Sequence, residues 1–313
     1  MARPILLGIV GDSASGKTTL TRGLVRILGD SQVTHVSADH YHRHTRRERA
    51  ERGLTPLHPE GNYIDVLEQH LRHLRAGNPI MKPVYNHKDG TFEPAEYVRP
   101  SQFTIIEGLL GFHTPAMRDA YDVRVFLDPP EELRRRWKVQ RDCSRRGYTT
   151  DQVLEELDRR ESDAESYLRP QQRHADIVIS FMEGDAEDQE HLDASVTLRP
   201  GLVHPDFSPL VNGDANEIVV DERPAETRLW VPGSIDRDHS SAIQEAVWDR
   251  MPFASHLRNE RLGEFTVGTE LHRSESLAIT QLLVLYQLVT AGAAVAVGAT
   301  GTRADHIQPA RSA

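Results

Sequence analysis

Gly11-Asp12-Ser13-Ala14-Ser15-Gly16-Lys17-Thr18, preceded by Pro4-Ile5-Leu6-Leu7-Gly8-Ile9-Val10 and followed by a helix-like stretch over 19–28, decides the reading of this chain. The spacing G-x-x-x-x-G-K-[ST] between a strand and a helix is that of a loop binding the phosphates of a nucleoside triphosphate. Glycines let the backbone wrap closely around the phosphates, and consecutive N–H groups at the positive end of the following helix bind anionic oxygens. Lys17 is placed to reach the β- and γ-phosphates and Thr18 to hold Mg²⁺ through its hydroxyl. Residues 11–18, with Thr19 behind them, form the expected ATP-binding set. The plain alternative is a Gly-rich turn that merely starts a helix.

The 313 residues can hold one large α/β domain or a domain with a smaller companion, and 38% hydrophobic content supplies a real core. A net charge of -10 argues against a dedicated nucleic-acid binder. The single cysteine, Cys143, excludes an intramolecular disulfide, and no charged-then-apolar leader precedes the phosphate loop. The expectation is a soluble cytoplasmic protein, a homo-oligomer, with a small-molecule partner and no nucleic acid or membrane. One feature competes: residues 277–299 are largely apolar and long enough to span a bilayer. Thr280, Gln281, Gln287 and Thr290 interrupt them and no basic cluster flanks them closely, so the reading preferred is a buried or interface helix over 276–291.

Residues 1–181 alternate between strand and helix patterns, as in a mostly parallel sheet covered on both faces. Strands are predicted at 5–10, 33–37, 103–106, 123–127 and 177–181, and helices at 17–28, 63–76, 130–145 and 150–167. Asp128 is expected to cap the third of these helices, with Pro129 and Pro130 in its first turn. A hairpin is predicted over 80–85 and 91–93, turning on Lys88-Asp89-Gly90. Six acidic residues and no basic one between 183 and 193 read as a linker or edge loop, set at 182–194. Beyond it, 195–313 read as an α+β extension, with strands at 195–198, 217–220, 227–231 and 265–267 and helices near 240–251 and 276–291. It is either a second, mainly antiparallel lobe or an extension of the first sheet.

Phosphoryl transfer needs a metal-supporting carboxylate, a base for the acceptor and cations for the transferring group. Asp39, after the second strand, is the candidate base, and with Thr18 and Glu107 a candidate Mg²⁺ ligand. Its plain alternative is a cap for the next short helix. Arg43, Arg46, Arg47, Arg49 and Arg52 follow closely, which suits a substrate already carrying a phosphate, because guanidinium binds phosphate oxygens bidentately. The competing reading is a solvated charged helix. Lys138, Arg141, Asp142, Arg145 and Arg146 share one broad helical face ended by Gly147, with another helix after Thr149. Such a pair of helices can fold over the nucleotide as a lid. Its competitor is a surface face tied by a weak Lys138–Asp142 pair.

With these residues assembled, the chain resembles the phosphoribulokinase and uridine kinase superfamily, and its phosphoribulokinase branch most closely. The resemblance rests on the phosphate loop, Asp39-His40-Tyr41-His42 with Arg46, and His58-Pro59-Glu60-Gly61-Asn62-Tyr63-Ile64-Asp65. It continues in Lys82-Pro83-Val84-Tyr85-Asn86-His87, Ile106-Glu107-Gly108-Leu109, Lys138-Val139-Gln140-Arg141-Asp142, Arg146-Gly147-Tyr148 and Arg169-Pro170-Gln171. It implies a P-loop kinase fold, a mixed, mostly parallel sheet flanked by helices with an antiparallel and helical C-terminal extension. It implies ATP-dependent phosphorylation of the 1-hydroxyl of D-ribulose 5-phosphate, with Mg²⁺. By the resemblance Asp39 is the catalytic base, assisted by Lys17, Lys138 and Asp142. His42, Arg46, Arg49, Tyr85, His87, Arg141 and Arg146 are substrate contacts, and Glu107 is the metal-side acid. Photosynthetic relatives from plants and algae carry a cysteine in the phosphate loop whose disulfide switches the enzyme off. Here Ser13, Ala14 and Ser15 offer no thiol, so that switch has no counterpart.

Two rival functions differ in what they need. A uridine kinase takes a neutral nucleoside, which favours aromatic stacking and amide hydrogen bonds over arginines. A nucleotide-dependent regulatory protein needs the loop but not Asp39, Glu107 and the lid cations together.

Overall fold

The computed structural model describes residues 2–184, 191–205, 218–223, 225–267 and 269–299. The elements follow one another as β1 (Ile5–Gly11), α1 (Lys17–Leu28), β2 (Val33–Ser37), α2 (Arg46–Glu51), α3 (Ile64–Arg75), β3 (Ile80–Asn86), β4 (Thr91–Val98), β5 (Phe103–Gly108) and α4 (Pro115–Ala120). After these come β6 (Val123–Leu127), α5 (Glu131–Arg146), α6 (Thr150–Arg159), a short turn α7 (Glu161–Asp163) and β7 (Ile177–Glu183). The last part holds β8 (Leu192–Leu198), β9 (Val219–Arg223), β10 (Glu226–Val231), α8 (Arg237–Trp248), β11 (Glu264–Val267), β12 (Glu270–Arg273) and α9 (Glu275–Ala296).

Every residue of β1 is buried, as a continuous apolar run in the middle of a covered sheet requires. The main sheet has the order β2-β5-β1-β6-β7-β8-β10-β9. The first five are parallel neighbours. Registers Val10↔Gly108 and Ser37↔Glu107 bring the C-terminal ends of β1, β5 and β2 to one level, the edge where parallel sheets bind ligands. From β7 onward the pairing turns antiparallel, through β8 and β10 to the edge strand β9. Of the strands after residue 191, β8, β10 and β9 therefore extend the first sheet, while β11 and β12 form a separate two-stranded ribbon.

The segment expected as a linker or edge loop at 182–194 is shorter than its expected bounds. Glu183 pairs with Leu192 across the β7–β8 ladder, so both its flanks are strand. Its centre, 185–190, lies outside the described residues, as does Glu217 in the strand expected at 217–220.

One face of the sheet is covered by α1, α8 and α9, the other by α3, α4 and the segments around Leu57 and Leu168. Helix α9 is long and apolar enough to cross a membrane, yet most of it is buried inside the fold. It is apolar on all sides, apart from a few polar residues such as Gln281, because it packs on the sheet and on α1 and α8 at once. Its approach to α1 depends on Gly23: a Cβ there would lie 2.1 Å from Gln281 Nε2. Gln281 in turn accepts from the Gly263 N–H at 2.8 Å, tying the C-terminal part to the phosphate-loop helix.

Three local expectations need revision. Asp128 does not cap α5: its carboxylate accepts from Gln172 Nε2 at 2.7 Å, and the helix starts after Pro130 without a side-chain cap. The helix expected over 150–167 ends at Arg159 and continues through α7 into a wider turn, Ala164–Leu168. The β3–β4 hairpin is longer than predicted and reaches Val98.

Candidate active site

The loop after β1 carries two left-handed residues, Ala14 (φ 65°) and Gly16 (φ 93°). For alanine that conformation costs on the order of 1 kcal/mol, and such strain gathers at ligand clamps. Lys17 is buried, and its ammonium donates to the carbonyls of Gly11 (2.8 Å) and Asp12 (2.7 Å). Burial pulls its pKa down, against the opposing pull of Asp39, Glu107 and Asp12.

Glu107, at the end of β5, stands over the start of α1. Its carboxylate is 3.5 Å from Thr18 Oγ1, accepts from Thr21 Oγ1 at 3.1 Å and pairs with His35 Nε2 at 3.2 Å. Burial would raise its pKa, but His35, Lys17 and Thr21 outweigh it and keep the group ionised. His35 and Thr21 escaped sequence reading, although strand alternation puts His35 on the face of Ser37, the register partner of Glu107.

The lid helix α5 lies against the loop. Arg141 donates to Ser13 Oγ (3.0 Å) and Arg134 to the Ser13 carbonyl (3.3 Å). Arg134 also pairs with Asp12 (3.2 Å), which Arg160 binds as well. Both arginines are buried, and sequence reading passed over both. Arg134 precedes Lys138 by one helical turn, a spacing that could have revealed it. Lys138 and Asp142 bond at 2.9 Å with side chains only 2% and 1% exposed, which overturns the surface-pair alternative. Glu156 approaches Lys138 to 3.4 Å, and Asp142 also accepts from Arg141 (2.8 Å) and faces Arg146 (3.5 Å). Burial raises the Asp142 pKa less than Arg141 and Lys138 lower it, so it stays charged. The lid helix ends at Gly147 in a left-handed turn, and α6 begins on a capping box between Thr149 and Gln152.

Across the cleft, Asp39 sits in the first turn of the short helical segment Ala38–Tyr41 after β2, whose N-cap position is held by Ser37. A Cβ on Gly108 would lie 3.2 Å from Asp39 Oδ1, so the glycine lets this carboxylate sit beside the end of β5. Asp39 acts electrostatically on both Lys17 and His87. Around His87 the rings of Tyr85 (5.0 Å), His40 (5.9 Å) and His42 (6.3 Å) meet edge to face. Burial lowers the His87 pKa, Asp39 raises it, and Arg146, Arg49 and Arg46 lower it again. The arginine run is sorted by the fold. Arg49 is buried, lies over the Tyr85 ring and donates to its hydroxyl at 3.0 Å. Arg46 clamps the hairpin through the carbonyls of His87 (2.5 Å) and Lys88 (3.3 Å). Arg43 lies over Tyr63, while Arg47 and Arg52 remain on the exposed side of α2, where Arg47 meets Glu51. Thr19 is exposed at the start of α1.

The expected residues thus fall into three adjoining groups: Lys17, Thr18 and Glu107; Lys138, Arg141, Asp142 and Arg146; and Asp39 with His42, Arg46, Arg49, Tyr85 and His87. Such an arrangement holds a polyanion on one side of a carboxylate and a smaller polar molecule on the other.

The sequence model described as Phosphoribulokinase / Uridine kinase family matches residues 6–186, more than half of the chain. A phosphoribulokinase of Synechocystis sp. is 35% identical over 232 residues, covering 72% of this chain and 68% of that protein. A chloroplastic phosphoribulokinase of Triticum aestivum is 32% identical over 197 residues, 58% of this chain but only 49% of that one. A uridine kinase of Oceanobacillus iheyensis is 30% identical over 181 residues, 56% of this chain and 86% of the relative. Among solved structures, the phosphoribulokinase from Rhodobacter spheroides aligns with a TM-score of 0.59 at 19% identity, over 81% of this chain and 99% of that one, and so shares the fold. The chain belongs to the phosphoribulokinase/uridine kinase family of kinases.

Proposed function

We propose that this family member transfers the γ-phosphoryl group of ATP to the 1-hydroxyl of D-ribulose 5-phosphate, giving ribulose 1,5-bisphosphate and ADP. The observation that carries this reading is the cluster around His87: Arg46 donates to its carbonyl, Arg49 lies over the Tyr85 ring that meets it, and Asp39 and Arg146 act on it electrostatically. A base beside such a group of arginines suits an acceptor that already bears a phosphate, whereas a neutral nucleoside has no use for three cations.

In this account Asp39 takes the proton of the 1-hydroxyl as its oxygen attacks the γ-phosphorus, while the bond to the β-phosphate oxygen breaks and ADP leaves. Lys17 and Arg141, which already face the loop, meet the charge on the transferring group. The lid pair Lys138–Asp142 keeps Arg141 aimed at Ser13, since Asp142 accepts from both cations. Thr18, Glu107 and Asp39 are oxygen donors of the kind Mg²⁺ takes, and they would hold that ion, which when bound neutralises phosphate charge.

The test offers the purified chain Mg-ATP with ribulose 5-phosphate, uridine, cytidine and pantothenate, and measures ADP release. Turnover with the sugar phosphate alone is expected. Turnover only with a nucleoside sinks the reading in favour of a uridine kinase. Tight ATP binding without turnover on any acceptor favours a regulatory protein.

A further inference from the structure

His42 and Asn62 are locked together. Their backbones are bridged in antiparallel fashion, with Tyr63 N–H donating to the Tyr41 carbonyl (2.7 Å) and Arg43 N–H to that of Gly61 (2.9 Å). The Asn62 amide nitrogen donates to the carbonyls of Pro56 (3.0 Å) and His58 (2.9 Å). Two carbonyl acceptors leave the amide one orientation, with its oxygen turned the other way. That oxygen lies 2.8 Å from His42 Nδ1. An amide oxygen only accepts, so Nδ1 must carry the ring hydrogen.

A second proton on the ring is opposed by burial and by neighbouring cations, which together outweigh the Asn62 hydrogen bond that favours it. The ring is 3% exposed, and the Arg49 guanidinium, over the Tyr85 ring that His42 meets edge on, repels a further positive charge. His87 and His40 add to its effect, and the His42 pKa is lowered to about 3, with burial the largest cause. At neutral pH His42 is therefore an uncharged ring whose Nε2 has a lone pair and makes no hydrogen bond among the described residues. A lone pair cannot bind a phosphate dianion, which has no hydrogen to offer. It can accept from a hydroxyl.

We propose that His42 Nε2 accepts a hydrogen bond from a non-reacting hydroxyl of the acceptor sugar, and that Asn62 is the positioning residue that fixes the ring in the tautomer able to do so. The inference rests on the reading of the acceptor as a phosphorylated sugar, and it divides the labour within that reading. Arginines hold the phosphate, while the His42–Asn62 pair reads the carbohydrate. Asn62 belongs to the sequence segment that carries the family resemblance but had no role there.

Two measurements test this. Long-range proton–nitrogen NMR on the full chain, with His42 assigned by comparison with His42→Gln, should show at pH 7 a protonated Nδ1 and a bare Nε2. This needs no active variant and no substrate. Kinetics then compare ribulose 5-phosphate with its 3-deoxy and 4-deoxy analogues in the wild type and in His42→Phe. In the wild type one analogue should lose about tenfold in kcat/KM, the scale of one hydrogen bond. His42→Phe should lose a similar factor on ribulose 5-phosphate and nothing more on that analogue. An Nε2–H tautomer or an imidazolium at pH 7 overturns the proposal whatever the acceptor. Additive losses overturn the hydroxyl contact. Absence of wild-type turnover with ribulose 5-phosphate, beside the expected tautomer, overturns the substrate reading and the hydroxyl contact with it, and supports the part assigned to Asn62.

Discussion

The two walls of the cleft solve opposite electrostatic problems. On the donor side buried charges are paired: Asp12 with Arg134 and Arg160, Asp142 with Lys138 and Arg141. Burial would push both aspartates up, but their cations hold both below the usual carboxylate range, so both stay charged. On the acceptor side the buried His42 and the half-buried His40 lie near the buried Arg49. Burial and neighbouring cations lower His40 to about 4 and His42 to about 3, so they stay neutral at physiological pH. One wall thus offers cations that internal counter-charges hold in place, and the other sets neutral rings with defined donors and acceptors beside its arginines. The difference teaches that burial alone does not set charge; the partner does.

The largest effect that could break this division is at its boundary. Asp39→Asn should lower kcat by about 10²–10⁴-fold, the range of a lost general base, with ATP affinity nearly unchanged. A variant turning over at near-native rate would remove Asp39 from that role. Next comes the donor wall. Asp142→Asn leaves Lys138 buried with only Glu156 nearby, and should cost about 3 kcal/mol in urea unfolding, as uncompensated buried charges do. A loss below about 1 kcal/mol would mean that the pair is solvated.

Acid should separate the walls. His40 and His42 have folded pKa values near 4 and 3 against 6.5 in the unfolded chain, so the unfolded state binds more protons between those limits. Stability therefore falls as pH drops from 6.5 toward 4. The aspartates, lowered from 3.8, keep their full contribution above that value and lose it only on further acidification. His42→Gln should flatten the first branch by up to about 1.4 kcal/mol per pH unit, one proton's worth. An unchanged slope from pH 6.5 to 4 would show that His42 titrates normally. The smallest effect is at the lid joint, where Thr149→Ala removes the capping box and should cost about 1 kcal/mol by denaturant titration.

What the sequence makes legible are features with local grammar. The phosphate loop, Glu107 at a strand end, the Gly147 stop and the Thr149 start all announce themselves through neighbours within a few residues. Arg160 is different: it binds Asp12 from 148 positions away, and no local pattern marks that pairing. Asn62 shows only as a loop residue until its two carbonyl partners are seen. The arginine run suggests five equivalent cations, and only the fold separates buried Arg49 from exposed Arg47 and Arg52. Helix α9 misleads in the other direction, because burial on several sides and lipid exposure ask for the same composition.

The proposed reaction adds phosphate to a molecule already carrying one. Phosphorus-31 NMR of a reaction with Mg-ATP and ribulose 5-phosphate measures this directly. The account predicts a second phosphomonoester resonance on the sugar, at carbon 1, growing in step with ADP. A sugar that keeps its single phosphate while uridine in the same tube becomes phosphorylated would contradict it.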